Sequence, residues 1–187
     1  MTMSFRLLVC GSIIALAAII LAEEQPAGRA GSQAGPLVTR DRVQLNLAGA
    51  ELILAAARKK AAAAGFRMNL AVVDDGGHLL AFARMDGARP ASGYTAITKA
   101  VTAATFRQET GPLPPKGEPD VLLNLSLQNA ALAGGGKLTT LKGGVPIVVD
   151  GQVIGGVGVG GGTGEQDAEV ARAGIDALLA ALDEARR

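Results

Sequence analysis

The sequence predicts an α/β fold of the α+β kind: an antiparallel sheet of about five strands with helices packed on it. Three observations carry that expectation. Apolar runs rich in Val, Leu and Ile are separated by Asp-Gly turn signals, which join antiparallel neighbours directly and cannot join parallel ones. Amphipathic stretches precede, separate and follow those runs. The 187 residues are 49% hydrophobic but only 3% aromatic, which suits one compact domain with a core of Ala, Val, Leu and Ile.

The N-terminal segment has a different character. Arg6 precedes an uncharged run from Leu7 to Ala22, and Glu23, Glu24, Gln25 and Pro26 end it abruptly, so residues 1–22 are expected to be an export signal. The run is shorter than the roughly 20 residues of a spanning helix, and Ala22 is a small residue at a plausible cleavage point; a retained anchor is the alternative. Cys10 lies inside the run behind Val9, a poor context for lipid attachment, so the mature chain would hold no cysteine and no disulfide framework. Residues 23–44 include Pro26, Gly28, Gly31, Gly35 and Pro36 and are expected to form a flexible linker. The folded domain is then 45–187, in a periplasmic or extracellular setting, with no stable membrane anchor after cleavage.

Within the domain, Ala50, Ile53, Leu54, Ala57, Ala61 and Ala64 recur at helical spacing over 48–64, and Gly65 can close that helix. Residues 68–84 form a hairpin about Asp74-Asp75-Gly76-Gly77, a cluster needing positive φ. Ser92 can cap a second helix with Ile97, Ala100, Val101 and Ala104 inward, ending before Gly111-Pro112. Four prolines make 111–119 a loop, and 121–132 is taken as a short helix although Leu123, Leu125 and Leu127 alternate like a strand. Strands are expected at 137–141, 145–149 and 152–159, the last two joined by Asp150-Gly151, with Pro146 indicating an edge. A final helix from 165 to about 184 carries Thr163 and Gln166 as a capping box.

Charge excludes one class of partner. The formal net charge is +1 with both signs interspersed, so no single-sign field exists to draw in nucleic acid. The sole histidine, His78, starts the second strand of the hairpin and can ligate a transition metal through a neutral ring nitrogen. It can equally bond a turn carbonyl. One histidine and no mature cysteine disfavour a single-chain catalytic zinc site. Asp74 and Asp75 suit the turn, with Asp74 also a ligand-binding candidate beside His78. Arg84 and Met85 end the second strand, and Lys99 on the next helix should lie close enough to complete a cationic rim for carboxylates. Otherwise Arg84 pairs with Asp86 at the surface and Lys99 is solvated. Glu165 and Asp167 can bind a cation or serve as acid and base, or merely complement the helix dipole.

Gly156-Val157-Gly158-Val159-Gly160-Gly161 matches a dinucleotide fingerprint only on paper, because its glycines alternate along a strand with a hairpin just upstream. Such glycines suit close approach in a sheet, at a subunit contact or against a flat ligand. No serine has the setting of an activated nucleophile, so catalytic residues stay unassigned and enzymatic activity is left open.

The hairpin from Val72 to Gly87, Lys99 followed by Ala100-Val101-Thr102, Gly143-Gly144-Val145-Pro146-Ile147 through Asp150-Gly151, and Gly162-Thr163-Gly164-Glu165 occur in an order that resembles the GlcG/HbpS family of haem-degrading or haem-binding-like domains. The resemblance spans about 45–182. It implies a profilin-like sandwich with helices on both sheet faces and a homo-oligomer. It also implies haem as cofactor, His78 as iron ligand, and Lys99 and Arg84 as carboxylate partners. The function expected is that of an exported haem-binding or haem-sequestering protein. Alternatives are binding or conversion of a small organic acid, as the GlcG association suggests, and a ligand-free oligomeric scaffold.

Overall fold

The computed structural model describes residues 41–187. The expected export signal, Cys10 and the linker up to residue 40 lie outside the described residues. Of the remaining linker positions, Val43 already packs against the core, next to buried Leu45.

Eight elements follow in order: α1 (Leu47–Ala63), β1 (Asn69–Asp74), β2 (Leu79–Arg84), α2 (Ser92–Phe106), α3 (Val121–Ala133), β3 (Gly144–Val149), β4 (Gln152–Gly160) and α4 (Gly164–Ala185). The strands form one antiparallel sheet in the order β2-β1-β4-β3. Pro146 therefore sits on an edge strand, where a missing N–H is tolerated. Asp150 and Gly151 both take positive φ, 50° and 74°, as a two-residue turn matched to strand twist requires.

The sheet has four strands, not five. Residues 137–141 form no strand, because their backbone groups are bonded by side chains: the Thr139 N–H donates to Thr102 Oγ1 at 2.9 Å and the Leu141 N–H to Thr139 Oγ1 at 3.1 Å. Neighbouring residues alternate faces along β1, so its side chains divide between two layers. Leu70 and Val72 join Ile53, Ile147, Val159, Val170 and Leu178 beneath α1 and α4, whereas Ala71 and Val73 join Ala96, Ala100, Val101 and Ala104 of α2. Helices thus cover both faces.

The α2 backbone lies close against the sheet, and the β4 glycines permit it. A Cβ on Gly158 would lie 2.0 Å from the Ala96 carbonyl oxygen, and one on Gly156 would lie 2.4 Å from that of Ala100. The close approach expected of these glycines is therefore to the α2 backbone of the same chain. Three of the four helix N-termini among the described residues are closed by side chains: Asn46 accepts from the Gly49 N–H, Asp120 from that of Leu123, and Thr163 and Gln166 form the expected capping box. Ser92 does not cap α2. Ala91 holds that position without a side-chain bond, and the Ser92 hydroxyl accepts from Arg89 Nε at 2.9 Å. The α3 helix buries only Ala131 and exposes Leu122, Leu125 and Leu132. Among the described residues no helix is long and apolar enough to cross a membrane.

Candidate functional site

The sequence-predicted residues fall into three places instead of one. The first is the β1–β2 turn. Asp74 organises it: one carboxylate oxygen accepts from the Gly76 N–H at 2.9 Å and from the His78 N–H at 2.8 Å. Both oxygens lie 3.2 Å from His78 Nδ1. Burial alone would raise the Asp74 pKa, but the His78 backbone N–H, its imidazole and the Gly76 N–H together hold it below the ordinary value. An ionised carboxylate only accepts, so Nδ1 must carry the proton, and in the neutral ring Nε2 then keeps its lone pair. The His78 side chain is 82% exposed, and that lone pair has open access.

The second place lies between α2 and the start of α4. Lys99, expected on a solvated or cationic rim, is buried; its ammonium donates to Asp167 Oδ2 at 2.7 Å and to the Val159 carbonyl at 2.9 Å. The other Asp167 oxygen accepts from the Gly162 N–H at 2.9 Å. A neighbouring cavity of about 460 Å³ is bordered by this pair and by Arg89, Lys142 and Glu165. Glu165 is exposed and bonds Lys142 at 3.1 Å; its own backbone N–H, and then Lys142, hold its carboxyl below the ordinary value. Asp167 is thus a structural partner of Lys99.

The third place is the far end of β2. Arg84 and Met85 border an open cleft of about 890 Å³ with Arg58, Lys59, Phe66 and Arg67. Arg84 and Lys99 line different cavities, so the common cationic rim expected of them does not form. Arg84 also faces a smaller groove with Asn69, Phe82 and Tyr94. Asn69, Arg89 and Tyr94 were not foreseen as site residues. Asn69 carried a usable signal, since it shares the inward alternation of Ala71 and Val73 yet is polar. Among the described residues no three His, Cys, Asp or Glu side chains gather into a metal-binding group.

Comparison with known proteins agrees with this framework. Residues 45–176 match the family model described as "Haem degrading protein HbpS-like". Protein GlcG of Escherichia coli K12 is 44% identical over 120 residues, which cover 64% of this chain and 84% of GlcG. The crystal structure of Klebsiella pneumoniae protein ORFY superposes with a TM-score of 0.65 at 32% identity, covering 78% of this chain and 99% of ORFY. The crystal structure of a PduOC:heme complex superposes at 0.59 with 26% identity, covering 72% and 95% of the two chains. An antiparallel sheet between helical layers, the motif order along it and the match across residues 45–176 together make this chain a member of the HbpS-like family.

Proposed function

We propose that the domain binds haem, with His78 Nε2 as the nitrogen that would hold the iron and Asp74 as the group that orients the imidazole. One observation carries this reading: the exposed His78 ring is tethered through Nδ1 to a carboxylate while its other nitrogen stays free. Histidines that ligate metals characteristically donate their second ring N–H to such a partner, which fixes the tautomer and raises basicity. With no cluster of further donors among the described residues, a single imidazole suits an iron that a porphyrin already holds. The family match and the haem complex of a related structure support the same reading. Bound haem would supply iron redox chemistry, and the role of these residues would be to hold and orient the ligating nitrogen.

Lys99 is engaged by Asp167 and Arg84 stands at the opposite end of β2, so neither shares a single-chain pocket with His78. We propose that a homo-oligomer completes the surface around the haem, with the exposed leucines of α3 at a subunit contact. Leu122→Glu/Leu125→Glu is expected to shift the size measured by light scattering to a smaller species; an unchanged size would remove α3 from the interface. Export, and with it a periplasmic or extracellular location, is proposed from residues 1–22.

The reading is tested by haemin titration of wild type and His78→Ala. A saturable, shifted Soret band in wild type that weakens or moves in the variant is expected. Weak, unsaturable changes alike in both proteins would contradict it. A second reading, binding of a small organic acid, is favoured by the cavity beside α4, where Arg89 and Lys142 lie near the helix N-terminus. It would take first place if a carboxylate bound there while haemin did not bind.

A further inference from the structure

The smaller groove near Arg84 contains a buried polar atom that the fold leaves unpaired. Asn69 is fully buried at the start of β1, and its Oδ1 has no hydrogen-bond partner. Amide orientation is fixed, because Nδ2 donates to the Arg89 carbonyl at 3.0 Å and the reverse placement would set two acceptors against each other. Leaving such a bond unmade is costly in an otherwise packed protein. Asn69, its Oδ1 covered just beneath the surface, lines a groove of about 360 Å³, walled by Phe82, Tyr94, Ile97 and Pro90, with Arg84 at its border. That is room for about a dozen waters. Its aromatic walls are open, with Phe82 40% and Tyr94 79% exposed. The floor is kept low by Gly93: a Cβ there would sit 3.4 Å from Phe82 Cζ and 3.5 Å from Asn69 Oδ1.

Asn69 and Arg84 are direct partners in the β1–β2 register, so a fixed acceptor and a cation without an acidic partner among the described residues serve the same groove. We infer that this groove is a binding site for a small planar aromatic acid that carries a hydroxyl or N–H donor. The donor reaches Asn69 Oδ1 as the half-exposed Phe82 side chain gives way, the ring lies against Phe82 and Tyr94, and the carboxylate pairs with Arg84. Aliphatic acids lack the ring that these walls favour, and cations would meet Arg84. The site is separate from the haem reading, since His78 stands at the other end of β2.

The test uses the full chain, amide-resolved NMR and 4-hydroxybenzoate as probe. Saturable shifts are expected at the Gly93 amide and the Asn69 side-chain NH2, and His78→Ala should leave them unchanged. The analogue 4-methoxybenzoate, without the donor, and phenol, without the carboxylate, should each bind at least about tenfold more weakly. Arg84→Gln should weaken 4-hydroxybenzoate by a similar factor. Gly93→Ala adds a methyl at ordinary contact distance, so the fold should accept it while the methyl closes the path from the groove to Asn69 Oδ1 and abolishes the shifts. Arg84→Gln, at an exposed position, decides the matter should Gly93→Ala misfold. Absence of saturable shifts at millimolar probe, or equal binding by 4-methoxybenzoate and by the Arg84 variant, would overturn the inference. So would shifts at Gly93 that depend on protein concentration without ligand, which would mean that a second copy covers the groove.

Discussion

Two hydrogen-bonded side-chain pairs in this domain are opposites in character. Lys99 and Asp167 lie 2.7 Å apart with side chains only 6% and 2% exposed, and the fold uses both carboxylate oxygens and two ammonium bonds. Asp74 and His78 lie 3.2 Å apart at a turn, and although Asp74 is well occupied, His78 is 82% exposed with one nitrogen unclaimed. What separates them is the bonding capacity left over. The buried pair has little to offer a ligand and ties α2 to the start of α4; the exposed pair has a lone pair on display and a partner that aims it.

The contrast can be broken most forcefully at the buried pair. Lys99→Met leaves Asp167 as an uncompensated buried charge and should lower stability by about 3–5 kcal/mol, measured by chemical denaturation. Lys99→Met/Asp167→Leu should recover much of that loss, though not all, because the Gly162 N–H also loses its acceptor. At the turn, Asp74→Ala removes the acceptor for two backbone N–H groups and should cost about 1–2 kcal/mol. It should also weaken haem binding by about 10–100-fold through loss of the imidazole's partner, read by Soret titration. His78→Ala should change stability by less than about 0.5 kcal/mol while removing iron ligation. Stability loss at His78 as large as at Lys99 would erase the distinction between the pairs.

A smaller effect is pH-dependent. The folded Asp74 carboxyl lies below its ordinary value of 3.8, so its contribution is fully present above that value and is lost as pH falls through the lower folded one. Asp74→Asn should therefore flatten the acid limb of the stability profile in that window and leave it unchanged at neutral pH apart from a constant offset.

Much of the fold was legible because local signals and tertiary placement agree. The spacing of Ala50, Ile53, Ala57 and Ala61, the capping box at Thr163 and the Asp150-Gly151 turn each describe the element that forms. The strand expected at 137–141 failed because the Thr139 backbone N–H donates to the Thr102 hydroxyl, a contact 37 residues distant that no local pattern records. The same holds for the site. Asp74 and His78 are four residues apart, and their pairing follows from the turn itself. Lys99 finds Asp167 across 68 residues, so its burial could not be read from the helix on which it sits. Asn69 was hidden differently: its polarity stood out within an apolar strand, but its unmet acceptor depends on the Arg89 carbonyl taking only its other end.

The most direct test of the central claim is long-range proton–nitrogen NMR of the imidazole before and after haemin, unambiguous because His78 is the chain's one histidine. Expected are the Nδ1–H tautomer in the free protein, its loss of preference in Asp74→Asn, and strong paramagnetic displacement of the ring signals at saturating haemin. A free protein dominated by the Nε2–H tautomer, with ring signals unmoved by haemin, would contradict it.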